Sequence, residues 1–226
     1  EAKEHAILQN LDTSFQKIDE LPFDFERRRM SVIVKDDSNV VSMVTKGALE
    51  EMLTISTHVE YRGEIIPITE GIRQEVLAEV GQLNRQGLRV LGVGYKSGLR
   101  EDYAYAVTDE SDMILTGYLA FLDPPKPSAA PAIQALLEHG VRTKILTGDN
   151  EKVTQAICEK VGLDVEQMLL GADIDQMTDQ ELAEAVESVT VFAKLSPDQK
   201  ARIILQLKKN GHVVGYMGDG INDAPS

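Results

Sequence analysis

The sequence predicts two domains of different class, an α+β domain over residues 1–122 and an α/β domain over residues 123–226. The boundary is placed at Asp123-Pro124-Pro125-Lys126-Pro127, because three prolines in four positions can continue neither a strand nor a helix. Before this break, strand-like apolar runs and hairpin signals indicate an antiparallel sheet with helices. After it, helical patterns alternate with short strands rich in Val and Ile, which is typical of a doubly wound parallel sheet.

The bulk composition describes an acidic globular protein. The net charge of −14 argues against nucleic acid or an anionic membrane as a direct partner of this chain. The single cysteine, Cys158, lies in a helical pattern and is expected to be a small core residue. No apolar run approaches the roughly 18 residues of a membrane span, and the start does not resemble a signal peptide. We expect the chain to be a piece of a longer protein.

In the first domain, the pattern begins with a short helix and a hairpin, and continues with two helices and two more strands. Gly87 follows the longer helix in the position where glycine commonly ends one. The predicted elements are a helix over 1–11, strands over 23–34 and 40–45, a helix from about 48, a helix over 69–86, and strands over 89–95 and 113–122.

In the second domain, capping signals mark the helix starts. Thr178 with Glu181 forms a capping-box pair, and Ser196 precedes a proline at the first helical position. Asn150 can cap another helix. The predicted elements are helices over 128–140, 150–162, 178–186 and 196–211, and strands over 141–146, 189–195 and 213–217.

Acidic loops follow two of these strands. Thr147-Gly148-Asp149 closes one strand and Gly218-Asp219-Gly220 closes the last, so both loops emerge at the same edge of a parallel sheet. A threonine hydroxyl and a glycine N–H can donate to phosphate, and Asp149 can orient a water molecule. Asp219 and Asp223 offer the hard oxygens that Mg²⁺ prefers. The alternative is a plain Gly-Asp turn followed by an Asn-Asp helix cap.

Lys200 lies on the helix that follows the strand over 189–195, within reach of the same edge. A lysine there can neutralise phosphate charge through a charge-assisted hydrogen bond. Taken alone, Lys200 is better explained as a solvated helix lysine. Together with the two acidic loops, it becomes a candidate phosphate ligand.

These motifs resemble those of the P-type cation-transporting ATPases, which phosphorylate an aspartate in a domain of the haloacid-dehalogenase class. The resemblance rests on Asp123-Pro124-Pro125, Thr147-Gly148-Asp149 and the stretch over 217–225, in that order. In the first half, it rests on Phe25-Glu26-Arg27, Lys46-Gly47-Ala48 and Gly87-Leu88-Arg89-Val90. It covers essentially the whole chain, and the stretches over 23–32 and 117–127 look most like the bacterial magnesium-importing branch.

The resemblance implies ATP and Mg²⁺ as cofactors and assigns roles to residues. At the nucleotide, Phe25 would stack on adenine, Glu4 would accept from its amino group, Lys46 would line the pocket beside Gly47, and Arg27 and Arg89 would meet phosphates. At the phosphoryl group, the implied residues are Thr147, Gly148, Asp149, Lys200 and Asn222, with Asp219 and Asp223 at the metal. Without the resemblance, Phe25 would be assigned to the core and Arg27-Arg28-Arg29 to an edge-strand charge run. Lys126 stands where the family commonly has arginine.

The family's nucleophile, the first Asp of Asp-Lys-Thr-Gly-Thr, has no counterpart in the sequence. Asp173-Ile174-Asp175 mimics a phosphatase nucleophile motif but follows Thr147-Gly148-Asp149, whereas the nucleophile strand comes first in this class. We therefore expect a loop before a helix there. The implied second domain is a partial α/β domain of the haloacid-dehalogenase class that lacks its nucleophile strand, with exposed sheet edges that can pair.

The implied whole protein couples ATP hydrolysis, through an aspartyl phosphate, to transport of a divalent cation, with magnesium expected and calcium as the alternative. Its other parts would be the nucleophile segment, an actuator domain and membrane helices, with this portion at the cytoplasmic face of a bacterial membrane. The chain alone is expected to bind ATP weakly and to hydrolyse none. The rival classes are a soluble haloacid-dehalogenase-class phosphatase with a large cap and a non-catalytic nucleotide sensor.

Overall fold

The structure, a computed structural model, describes residues 14–218 and divides the chain into two compact units. Of the described residues, the first unit takes in those up to Val80 and the segment Val90–Phe121. The second takes in Gly81–Arg89 and the described residues from Leu122 onward. The helix predicted over residues 1–11 lies outside the described residues.

The first unit is built on a seven-stranded sheet in the order β1-β2-β3-β6-β7-β4-β5. Most of its neighbouring strands run antiparallel, and β4 and β7 pair in parallel. This confirms the α+β prediction for the first half. The elements of this sheet and its helices are β1 (Phe15–Asp24), β2 (Arg29–Asp36), β3 (Val41–Ala48), α1 (Leu49–Ile55), β4 (Ser56–Tyr61), β5 (Glu64–Pro67), α2 (Glu70–Arg85), β6 (Leu88–Ser97), a 3₁₀ turn (Val107–Asp109) and β7 (Met113–Leu122). The end of α2, the first two residues of β6 and the last residue of β7 group with the second unit.

The strand predicted over 23–34 was wrong in one respect, because a turn divides it into the end of β1 and the start of β2. The Asp24 carboxylate accepts the backbone N–H groups of Glu26 and Arg27, at 2.9 and 2.8 Å, and Arg28 has a left-handed φ of 48°. An aspartate that bonds the backbone two and three residues on favours a turn over a continuing strand. The hairpin β4–β5 was also missed, and its turn contains Arg62 and Gly63 at φ 53° and 83°.

The second unit contains a three-stranded sheet in the order β8-β10-β9, with both strand pairs parallel. The predicted capping side chains are confirmed at Asn150, Thr178 and Ser196, each of which accepts backbone N–H groups from the first turn of its helix. The elements are α3 (Ala129–Glu138), β8 (Ile145–Leu146), α4 (Glu151–Lys160), β9 (Met168–Leu170), α5 (Gly171–Gln176), α6 (Asp179–Ser188), β10 (Val191–Ala193) and α7 (Pro197–Lys209).

The strand predicted over 213–217 is not formed in this structure. Residues 212–218 carry no regular secondary structure, and Val213 and Met217 are almost completely exposed. A strand needs a neighbour for its backbone N–H and C=O groups. Within the described part of the chain, no strand pairs with this segment, so its apolar residues alone do not make it a strand.

The expected loop at Asp173-Ile174-Asp175 was also wrong, since these residues lie in α5 directly after β9. Ile174 is completely buried, and the Asp173 carboxylate accepts the backbone N–H of Leu170 at 2.8 Å. Asp173 therefore holds the start of a short helix.

Separate cores stabilise the two units. In the first unit, one apolar cluster packs on β1–β3 and the start of β7, and another packs on α1, α2 and β7. In the second unit, apolar side chains pack among β10 and α5–α7. Among residues 14–218, no helix is long and apolar enough to cross a membrane. The principal core residues of the first unit are Leu21, Ile33, Met43, Met113, Leu49, Met52, Leu53 and Leu115, and those of the second are Ile174, Leu182, Val186, Phe192, Ile203 and Leu207.

Candidate functional site

Two phenylalanines lie where β1 ends and the turn to β2 begins. We call residues 23–28 the aromatic turn. Phe23 and Phe25 are 51% and 42% exposed, and their rings meet edge to face with centroids 5.2 Å apart. Such exposure is unusual for two neighbouring large apolar rings. Since a flat π-system packs well on an aromatic face, the turn offers a surface on which a heterocyclic base can stack.

The backbone of the aromatic turn is fixed from within. Besides the two bonds to the Asp24 carboxylate, the Arg28 N–H donates to the Asp24 carbonyl at 2.7 Å. The hydrogen bond from the Arg27 N–H lowers the pKa of Asp24 below its ordinary 3.8. The carboxylate therefore remains charged and continues to hold the turn throughout the neutral pH range.

Arg27 is drawn inward, to a carboxylate distant in sequence. Its Nη1 donates to Glu110 Oε2 at 2.6 Å, and its Nη2 donates to the Pro22 carbonyl at 2.8 Å. Arg29 donates through Nε to the same Glu110 oxygen at 2.8 Å, while Ser31 donates to the other oxygen at 2.7 Å. Both terminal nitrogens of Arg27, the predicted phosphate contact, are thus engaged within the protein.

Glu110 is ionised despite its burial. Burial alone would raise its pKa, but the hydrogen bonds from Ser31, Arg27 and Arg29 outweigh it, so the pKa lies below the ordinary 4.5. The Ser31 hydroxyl also meets the buried Thr45 hydroxyl at 2.8 Å, which extends the network across β2 and β3. We call these five residues, Arg27, Arg29, Ser31, Thr45 and Glu110, the Glu110 network.

Lys46 lies on the opposite face of β3 from this network. It is exposed, whereas its neighbours Thr45 and Gly47 are buried. The register pairs Lys46 with Met30, so the lysine is at the end of the sheet where β2 leaves the aromatic turn. The structure thus brings a cation to the same end of the sheet as the exposed rings.

Gly47 is required by a close approach within the sheet. A Cβ at this position would lie 2.5 Å from Arg29 Cβ and 2.7 Å from the Arg28 carbonyl oxygen. The space that Gly47 leaves open is therefore used by β2.

In the second unit, Thr147, Gly148 and Asp149 form a tight loop after β8. The Asp149 N–H donates to the Thr147 hydroxyl at 3.1 Å, and that hydroxyl lies 3.2 Å from Asp149 Oδ2. Backbone bonds tie the loop to the strand next to it: the Leu195 N–H donates to the Thr147 carbonyl at 3.0 Å and the Lys194 N–H donates to the Asp149 carbonyl at 2.8 Å. The loop is positioned by the parallel β8–β10 pair, as the sequence suggested.

Arg89, which groups with the second unit, bridges two acidic residues there. Its Nη2 donates to Asp149 Oδ2 at 2.8 Å, and its Nη1 lies 3.2 Å from Asp123 Oδ2. The arginine and both carboxylates are partly exposed. Arg89, a predicted phosphate contact, therefore has carboxylate partners in this structure.

Lys200 lies in the first turns of α7, which begins after β10. Because β8 and β10 run parallel, the loop at Thr147 and the start of α7 lie at the same edge of the sheet. Lys194 occupies this edge as well, with a left-handed φ of 52° and its Nζ 3.0 Å from Glu151 Oε2.

The remaining predicted site residues lie outside the described residues. These are Glu4, Asp219, Asn222 and Asp223. Over residues 14–218, no group of three or more His, Cys, Asp or Glu side chains is arranged to hold a metal ion.

Two residues at the candidate site were missed from the sequence. Phe23 was correctly predicted as a strand residue but was not predicted as a site residue, although the Phe-x-Phe spacing could have suggested a pair of neighbouring rings. Glu110 carried no such signal, because its partners Arg27, Arg29 and Ser31 lie 79 to 83 positions away.

Comparison with known proteins identifies the family to which the chain is similar. The family described as P-type ATPase, cytoplasmic domain N, matches residues 2–128, more than half of the chain. Magnesium-transporting ATPases, P-type 1, from Salmonella typhimurium and Escherichia coli K12 are 49% and 47% identical over 226 residues, covering 100% of this chain and 25% of each relative.

A calcium-transporting ATPase 1 from Bacillus cereus is 33% identical over 222 residues, covering 96% of this chain and 24% of that relative. The chain thus spans about a quarter of the length of these relatives. On the family match, which contains the aromatic turn, Lys46 and Glu110, the chain belongs to the P-type ATPase family.

Proposed function

We propose that the first unit binds ATP, with the adenine stacked on the aromatic turn. The observation that carries this proposal is the exposed Phe23–Phe25 pair on a turn that is fixed by internal hydrogen bonds. Because the turn is already ordered, a base can stack there without an additional entropic cost for ordering the backbone. Within the family, this is the role expected of Phe25, and Phe23 shares the exposed surface.

Lys46 supplies the positive charge for this site. Its exposure and its place at the end of β3 support a contact with a phosphate oxygen, with Gly47 maintaining the close pairing of β2 and β3. Arg27 is part of the proposed site because it lies in the aromatic turn and donates to the Pro22 carbonyl. Glu4 remains a proposed partner of the adenine amino group, and Arg89 a proposed phosphate contact.

We assign the second unit to part of the phosphorylation domain, of the haloacid-dehalogenase class. Its parallel sheet and the loop at Thr147, Gly148 and Asp149 support this assignment. In the proposed reaction, Thr147 and Gly148 donate hydrogen bonds to the phosphoryl group while Lys200 neutralises its charge. Asp149 orients Thr147 and Arg89, both of which donate hydrogen bonds to its carboxylate in this structure. Asn222 completes the set.

Mg²⁺ is the proposed metal, with Asp219 and Asp223 as its ligands. When bound, it would supply charge neutralisation to the transferred phosphoryl group. The carboxylate of Asp149 is directed to Arg89 in this structure, so it is better suited to positioning than to metal binding.

For the whole protein we propose transport of a divalent cation across a bacterial membrane, driven by ATP through a phosphorylated aspartate. The cation assigned is Mg²⁺, because the relatives named for magnesium share 47 to 49% identity and the calcium-named relative 33%. Calcium is the second candidate. The proposed partners are the segment that carries the nucleophile, an actuator domain and membrane helices, with this portion on the cytoplasmic side.

The test is an ATP titration of the 226-residue chain, followed by amide NMR. We expect millimolar binding, about 4 kcal/mol, with shifts that cluster at residues 23–28 and at Lys46. Phe25→Ala and Phe23→Ala should each weaken binding, because each removes part of a stacking surface worth roughly 1–3 kcal/mol. Lys46→Met should weaken ATP but not adenosine.

Matched controls come from the far end of β1 and from its exposed surface. Phe15→Ala removes a ring as exposed as Phe25, and Lys17→Met removes a lysine that pairs with Glu20. Both controls should bind ATP like the wild type. Shifts confined to other regions, or equal losses in the controls, would refute the adenine site.

Hydrolysis provides a second test. Incubation with γ-³²P-ATP should leave the chain unlabelled, because it contains no Asp-Lys-Thr-Gly-Thr motif. Sustained phosphate release would instead favour a soluble phosphatase.

A further inference from the structure

The Glu110 network is an unusual group of buried charges beside the proposed nucleotide site. The Glu110 side chain is fully buried, and the arginines that face it are 16% and 13% exposed. Burying a carboxylate with two guanidinium groups costs several kcal/mol in desolvation, which an apolar cluster would avoid. A buried ionic group of this kind is best explained by the geometry that it imposes.

The geometry imposed is that of the aromatic turn. The Arg27 guanidinium joins Glu110 to the carbonyl of Pro22, the residue immediately before Phe23. Arg27 itself lies two residues after Phe25. A single side chain therefore links both ends of the segment that carries the two exposed rings to one buried carboxylate.

Glu110 is itself well fixed. Its N–H donates to the Val107 carbonyl at 3.2 Å, and Lys96 Nζ donates to the carbonyls of Asp109 and Ser111 on either side of it. Two residues of β2, Arg29 and Ser31, thus bond the carboxylate that holds Arg27, while Lys96 of β6 and the 3₁₀ turn fix the backbone around Glu110.

We propose that Glu110 is a positioning residue for nucleotide binding, which acts through Arg27 to hold the aromatic turn in the shape that receives the base. This proposal rests on the proposed ATP site. It assigns Arg27 an inward role and predicts that losing the Glu110–Arg27 link weakens binding of the base, whether or not phosphates are attached. A direct contact between Arg27 and phosphate would instead affect only the phosphorylated ligand.

The experiment measures the affinities of the 226-residue chain for ATP and for adenosine by amide NMR titration. The variants are Glu110→Gln, Arg27→Lys and the double variant. Arg27→Lys keeps the positive charge but cannot bridge two acceptors through a planar fork. Each single variant should weaken ATP and adenosine by the same factor, roughly fivefold, the size expected when a turn must be ordered on binding.

The double variant separates positioning from general loss of structure. If Glu110 acts through Arg27, the double variant should bind no more weakly than either single variant, since both break the same link. Glu101→Gln is the matched control, because Glu101 pairs with Lys35 at an exposed site on the same unit. It should leave both affinities unchanged.

Several results would overturn the proposal. These are wild-type adenosine affinity in Arg27→Lys, a loss confined to ATP, or losses in the double variant that multiply. If Glu110→Gln fails to fold, Arg27→Lys decides the matter, since its side chain is at the edge of the network.

Failure of the wild type to bind adenosine, or unchanged binding in Phe25→Ala and Phe23→Ala, would refute the ATP site and this proposal together. Loss in the phenylalanine variants alone would refute only the positioning role.

Discussion

Glu110 in the first unit and Asp149 in the second are both held by arginine, but in different surroundings. The Glu110 carboxylate is inaccessible to water and accepts hydrogen bonds from Arg27, Arg29 and Ser31. Asp149 keeps 24% of its side chain exposed and shares Arg89 with a second carboxylate. An ion pair without water is costly to break, whereas a solvated pair exchanges partners at little cost. The buried Glu110 pair is therefore suited to holding the structure in place. The exposed Asp149 pair is suited to a site where charged groups must change partners.

The strongest test of this contrast is Glu110→Gln. We expect it to lower the free energy of unfolding of the first unit by about 2–3 kcal/mol, because two partly buried arginines lose their counter-charge. Native-state hydrogen exchange of β2 and β3 amides would measure the loss within this unit. Glu101→Gln, at an exposed pair, should change the same amides by less than about 0.5 kcal/mol. Equal effects would remove the distinction between buried and exposed pairs.

A second comparison uses glycines beside the two sites. Gly47→Ala should cost about 1–3 kcal/mol, because the new methyl group would press on Arg29 Cβ and the Arg28 carbonyl, which are held by the β2–β3 pairing. At Gly148 the nearest atom to an added Cβ is the Leu195 carbonyl oxygen at 3.4 Å, so Gly148→Ala should cost well under about 1 kcal/mol. Urea unfolding of both variants, together with amide hydrogen exchange in each unit, would show whether Gly47→Ala costs more stability than Gly148→Ala. A larger loss at Gly148 would contradict it.

The pH dependence of the first unit should show a smaller effect of the same network. Because the pKa of Glu110 is lowered in the folded chain, its contribution to stability is complete above the unfolded value near 4.5 and is lost as pH falls through the lower, folded value. The stability difference between wild type and Glu110→Gln should therefore be constant from pH 7 to about 5 and narrow under more acidic conditions. A difference that widens on acidification would contradict the assignment of a charged Glu110.

The smallest effect is expected at the exposed pair. Asp149→Asn should change the stability of the second unit by less than about 1 kcal/mol, and the change should shrink as salt is added. Thermal unfolding at low and high salt would measure it, with Glu101→Gln as the surface reference. A loss as large as that of Glu110→Gln would show that Asp149 is part of a fixed frame as well.

Local features of this fold could be predicted from the sequence, since their causes are local. Asn150, Thr178 with Glu181, and Ser196 before Pro197 mark three helix starts, and in each the capping atom and its partners lie within a few residues. The loop at Thr147 could be placed for a similar reason, because a strand followed by a helix leaves its connecting residues at the edge of a parallel sheet.

Features that depend on distant partners could not be predicted. Glu110 is an unremarkable acidic residue until the fold brings Arg27 and Ser31 to it. The segment Val213 to Met217 has the composition of a buried strand, but strand formation requires a neighbour that composition does not report. At the aromatic turn, Phe25 and Arg28 were assigned to a continuous strand, because the backbone bonds to Asp24 that form the turn compete with an alternating apolar pattern.

The parallel pairing of β4 with β7 has a consequence for the order in which the first unit is assembled on the ribosome. The hairpin β4–β5 is synthesised early, yet its neighbour in the sheet is β7, which emerges some fifty residues later. Until then the hairpin has no third strand, and an isolated hairpin is marginally stable in water. The nascent chain must therefore carry an incomplete sheet until Met113–Leu122 has left the exit tunnel.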